Sequence, residues 1–138
     1  MTRSVEWILA ALGAGFTIVV TATVAASPAA GAAASIILAA VALVAFAGFF
    51  AVARDDEDRS PRWGAITWLV AGVLSAMVYL AGFSYGFFLL PAVLAFAGAA
   101  ILADRRRSRP LAPHLVAYVG GILLCTLLII LVNVLHLA

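Results

Sequence analysis

The side chains in this sequence that could do chemistry are few and stand far apart. Glu6 lies just inside the first apolar stretch, and His114 and His136 flank the last one. Between apolar stretches fall an acidic run, Asp55-Asp56-Glu57-Asp58, and a basic one formed by Arg105, Arg106, Arg107 and Arg109. A carboxylate deep in a membrane would carry a proton or an ion. Glu6 is too close to the edge of its stretch for that and reads as a helix-start acid favoured by the macrodipole. The two histidines are 22 residues apart, so one helix holds them about 33 Å from each other and they cannot share an ion or a haem within one chain. Both read as interfacial residues. The acidic run lacks the spaced oxygen ligands and the glycine of a calcium loop and reads as a solvated turn. The four arginines could contact anionic lipid head groups.

Cys125 is the single cysteine, which excludes an intrachain disulfide and four-cysteine metal sites. Set in an apolar run, it should be inert. The sequence has no glycine-rich phosphate loop, nucleophile elbow or metalloprotease helix. Hydroxyls inside apolar stretches usually bond back to their own helix. If a polar path exists, Thr67, Ser75 and Tyr79 are its first members. No residue is assigned to catalysis, cofactor or metal, and the chain is expected not to be an enzyme.

The elements that must carry these residues follow from composition. Of 138 residues, 67% are hydrophobic and 10% charged, against about 25% charged in a soluble domain. A globule of this size could not hide that much apolar surface from water, whereas lipid solvates it. A spanning helix needs about 20 apolar residues. Stretches of that kind cover residues 5–26, 31–53, 63–81, 87–103 and 115–135. The run from 63 to 103 is long enough for two crossings and must turn at 82–86. The first stretch exceeds the roughly 7–15 residues of a signal peptide core. The expected fold is therefore all-α: a single polytopic transmembrane domain of two hairpins plus a C-terminal span.

Basic residues near span ends stay in the cytoplasm. Arg3 precedes the first span; Arg54, Arg59 and Arg62 separate the second from the third; the Arg105–Arg109 cluster separates the fourth from the fifth. A cytoplasmic N-terminus and an outer C-terminus place all eight arginines inside. Trp7, Trp63 and Trp68 would then belt the inner interface, and Phe83, Tyr85, Phe87 and Phe88 the outer one.

The second and fourth spans both contain Ala-Phe-Ala-Gly, at residues 45–48 and 95–98. This suggests a hairpin repeat, 5–62 and 63–110, although alanine-rich helices also resemble one another by composition. Small residues permit close helix approach in lipid. They pair as Ala11-xxx-Gly15, Gly72-xxx-Ala76, Ala95-xxx-Ala99 and Ala117-xxx-Gly121. The first four spans should form a tight bundle, with the fifth at its edge packing through its first half. Pro91, one turn into the fourth span, should bend it mildly.

The opening Met1-Thr2-Arg3-Ser4-Val5-Glu6, the Pro61-Arg62-Trp63-Gly64 start of the third span and the Gly82-Phe83 outer turn resemble the small four-helix integral membrane proteins of unknown function found in bacteria and archaea. The resemblance covers about residues 1–107, the fifth span departs from it, and it brings no site residues. The expected function is that of a cell-membrane accessory or scaffolding subunit acting through helix contacts. Its partners would be the lipid bilayer and other membrane subunits or itself, with no nucleic acid. A small transporter or channel built by self-association is the alternative.

Overall fold

A computed structural model describes residues 2–28, 31–58, 60–81 and 86–137, with the side chains at 2, 56–58, 136 and 137 outside that description. The side chains of Asp56, Glu57, Asp58 and His136, and most of the 82–86 turn with Phe83 and Tyr85, therefore lie outside the described part of the molecule. The described residues form five α-helices: α1 (Thr2–Ala25), α2 (Ala32–Asp58), α3 (Pro61–Leu80), α4 (Leu90–Arg107) and α5 (Leu111–Leu137). A short 3₁₀ turn, Gly86–Leu89, leads into α4, and no strand occurs among the described residues. All five helices are long and apolar enough to cross a bilayer.

The helices run past the apolar stretches because local capping favours it. The Ser60 side chain accepts from the Arg62 backbone N–H and Pro61 occupies the first turn, where a missing N–H costs nothing. α3 thus starts at Pro61, ahead of Trp63. Pro91 also sits in the first turn of its helix, so the expected bend has no cause. α4 continues one turn beyond Ala103 and stops where Ser108 turns left-handed, φ 51° and ψ 41°, with its N–H donated to the Asp104 carbonyl. α5 begins at Leu111 instead of Leu115. These two added turns bring Asp104 and His114 inside helices.

α1, α2, α3 and α4 form a ring in which each helix touches the next and α4 closes on α1, while α5 lies along the outside of α3. The ring is filled by Leu38, Leu74, Met77, Leu89 and Phe96, all fully buried. Phe96 is the central knob. A Cβ on Gly13 of α1 would meet its ring at 3.0 Å, and one on Gly48 of α2 at 2.9 Å. Those two glycines, with Ala10 and Ala14, carry the packing of α1 and α2. Ala11 and Gly15 instead face outward, and nothing approaches within 4 Å of a Cβ at Gly15. The Ala11–Gly15 pair is thereby corrected: helical phase puts 10, 13, 14 and 17 on the inner face.

Across α3 and α5 the backbones nearly touch. A Cβ on Gly72 would overlap the Tyr118 carbonyl, and one on Gly121 would overlap the Leu69 carbonyl. Ala76, Ala95 and Ala99 are buried, and Ala117 is half-buried. The expectation that α5 packs only through its first half is corrected: it stays attached further along. A stripe of His114, Tyr118, Gly121 and Cys125 continues into Ile129 and Val132, which still pack on the core. The two Ala-Phe-Ala-Gly segments sit in unlike surroundings: Phe96 is 0% exposed and Phe46 50%.

Candidate functional site

The polar side chains collect at the end of the bundle where α1 begins, α2 ends, α3 begins and the α4–α5 corner turns. Phe96, Ala100 and Asp104 lie four residues apart along the buried face of α4, so the extra helical turn carries a carboxylate into the core. Asp104 is 3% exposed and His114 2%. Oδ2 of Asp104 accepts from the Trp68 indole Nε1 at 2.7 Å and pairs with His114 Nδ1 at 2.8 Å. The ring N–H is the donor of this bond in the Nδ1–H tautomer. The Trp68 ring stacks on the imidazole at 6.5 Å and 17°, and the Tyr118 ring meets Trp68 edge-on. Further along the same interface, Tyr118 donates to Ser75 Oγ at 2.9 Å.

The arginines that follow Asp104 reach back to the other two helices. Arg106 donates to Glu6 of α1 at 2.9 Å. Arg109 donates to both oxygens of Asp55 on α2, at 2.9 and 3.3 Å, and to the Ser60 carbonyl. Arg107 pairs with Asp55 as well. The end of α4 and its corner thus connect to α1, α2, α3 and α5 together. Charged pairs this well covered are costly to desolvate and costly to break, so they hold one geometry.

This arrangement corrects several sequence expectations. Glu6, read as a helix-start acid favoured by the macrodipole, does lie near the start of α1 but is 3% exposed and paired with Arg106. His114 is a core residue and not an interfacial one. Trp68, 9% exposed, leaves the aromatic belt to bond Asp104. Arg106, Arg107 and Arg109 are engaged by carboxylates, whereas Arg105 is exposed and faces outward. Asp55, read as part of a solvated turn, is buried. On the expected polar path, Thr67 donates to the Trp63 carbonyl and Ser75 to the Ala71 carbonyl, while Tyr79 is 87% exposed. These three side chains do not meet.

Two carboxylate oxygens, Glu6 Oε1 and Asp104 Oδ1, are buried with no hydrogen-bond partner among the described residues. Beside Asp104, an open groove of about 440 Å³ runs between the α4 end and the α5 start, lined by Trp68, Asp104, Arg105, Ser108, Leu111 and Leu115. Among the described residues no three His, Cys, Asp or Glu side chains converge as metal ligands would. The stripes could have announced this site. Glu6, Ala10, Ala14 and Thr17 share one buried face of α1, as His114, Gly121 and Cys125 do on α5.

Fold and site together define a multi-span, all-α membrane protein with an ionic knot at one end. Comparison with family models, curated proteins and solved structures finds no match.

Proposed function

We propose that this chain is a non-enzymatic accessory or scaffolding subunit of the cell membrane, acting through helix–helix contacts, with its ionic end and N-terminus in the cytoplasm and its C-terminus outside. The observation that carries this reading is the one-sided attachment of α5. One stripe of it packs on α3, while Val116, Val119, Leu123, Leu127, Leu131 and Val134 are exposed along its length. Lipid covers such a face at no cost, and so does a partner helix; Gly120 leaves room there for close approach. The filled ring supports the same reading, because Phe96, Leu74, Met77 and Leu89 occupy the space between the four helices. The likeness to small four-helix membrane proteins suits a ring of four helices to which α5 is an addition.

A channel built by self-association draws less support, since Thr67 and Ser75 are turned into helix contacts and Tyr79 lies apart from them. Purification in mild detergent followed by native mass spectrometry tests the proposal. A foreign subunit at fixed stoichiometry, lost when Leu123 and Leu127 become tryptophan, is expected. A chain that purifies alone and supports ion flux in liposomes would refute it.

A further inference from the structure

The buried Asp104–His114 pair is more than the tether of α5. Well-packed apolar residues often replace a buried ion pair with no loss of stability, so packing alone does not require these two groups. Asp104 of the pair also lines the open groove between the α4 end and the α5 start, beside Trp68 and Arg105. Its two oxygens are treated unequally. Oδ2 is bonded to both Trp68 Nε1 and His114 Nδ1, and Oδ1 has no hydrogen-bond partner among the described residues.

We propose that Asp104 and His114 form a single exchangeable proton-binding site, loaded through the groove between α4 and α5. In the unloaded form a neutral imidazole donates Nδ1–H to an ionised carboxylate, and the pair carries one negative charge. Loading adds one proton from water to the pair, on the imidazole or on Oδ1, and makes the pair neutral overall. No bond other than those to hydrogen changes.

The surroundings give that proton leverage. Arg109 from the corner lies against Gly64, and so does Nε2 of His114: a Cβ there would be 2.5 Å from the guanidinium and 3.5 Å from the imidazole nitrogen. Asp55 of α2 holds Arg109 and Arg107, Arg106 is held by Glu6 of α1, Tyr118 flanks Trp68 on α5, and Arg105 stands at the groove. The knot joins Glu6, Asp55 and Asp104 to Arg106, Arg107, Arg109 and His114. Loading the pair adds one positive charge to it. Loading that places the charge on the ring turns the α4–α5 hydrogen bond into an ion pair, and it adds a cation facing the Arg109 link to α2. The state of one proton thereby shifts the balance between the attachments of α5 and of α2.

Trp68 is a built-in reporter, because it stacks on the imidazole and bonds the carboxylate, and a protonated imidazole quenches a neighbouring indole. The test uses the full chain in lipid nanodiscs with W7F and W63F, so that Trp68 alone emits. Emission is followed across about pH 5 to 9, a range that covers imidazole titration. The expected result is one reversible step of single-proton steepness, abolished by H114Q and displaced or abolished by D104N. In parallel, ring-¹⁵N spectra of an H136Q protein follow His114 unaltered, so the test survives a misfolded H114Q; its ring resonances should move with the emission step. Flat emission with static ring resonances, or a step that persists unchanged in folded H114Q, would overturn the proposal.

Discussion

Asp104 and His114 stand ten residues apart across the α4–α5 corner and share a 2.8 Å contact between side chains that are both almost wholly buried. Neither helix alone would place them so. The contact exists because α4 runs one turn further than its apolar residues and α5 starts one turn earlier. A left-handed Ser108 between them folds the chain back on itself.

Asp104→Ala should destabilise the bundle, because it leaves the Trp68 and His114 N–H groups buried without acceptors. Each such group costs about 1–3 kcal/mol in soluble proteins, with interhelical bonds in bilayers nearer the low end. Unfolding in mixed micelles should show a loss of about 2–4 kcal/mol for Asp104→Ala. The exposed neighbour change Arg105→Ala should fall within about 0.5 kcal/mol of the parent.

Asp55 and Glu6 should rank unequally. Asp55 accepts from two arginines that are 15% and 10% exposed, whereas the Arg106 partner of Glu6 is 29% exposed. Asp55→Asn removes the buried negative charge that Arg107 and Arg109 share, at a cost of about 3–5 kcal/mol. Glu6→Gln should cost clearly less, since solvent screens its partner. Equal losses in the same unfolding assay would mean that the corner is not the hub described.

The α3–α5 crossing predicts a reactivity change. Gly72→Val or Gly121→Leu drives a side chain into the facing backbone and should push α5 outward. Cys125, 3% exposed in that seam, should then react with a membrane-permeant maleimide much faster than in the parent. Gly15→Ala, placed where nothing lies within 4 Å, should leave labelling unchanged.

Phe96→Ala empties the centre of the ring and should cost about 3–5 kcal/mol. Phe46→Ala removes a ring that is 50% exposed and should cost about 1 kcal/mol or less. The pair of measurements also shows how far two identical tetrapeptides have taken different roles.

Five helices of membrane-crossing length and the bundle they form were legible in the sequence, since hydrocarbon thickness fixes helix length and five stretches meet it. The helix ends were not. An apolar run stops where charges begin, but α4 runs on to its left-handed cap at Ser108 and α5 already starts at Leu111. Asp104 and His114 fall in that gap and so read as loop and interface residues. The signal that would have found them is phase: Asp104 continues the Phe96–Ala100 stripe and His114 heads the Tyr118–Gly121–Cys125 stripe. Phase also separates Gly13 from Gly15, two residues apart on opposite faces. The ion pairs from α4 to α1 and α2 depend on which helices become neighbours, and no spacing along the chain encodes that.

An odd number of membrane crossings, with the ionic knot on the cytoplasmic side, is the premise on which the proposed role of this bundle depends. Paired topology reporters test it most directly, one inserted after Pro61 and one fused after Ala138. The prediction is cytoplasmic activity from the first and outer-side activity from the second. Both reporters active on the same side of the membrane would contradict it.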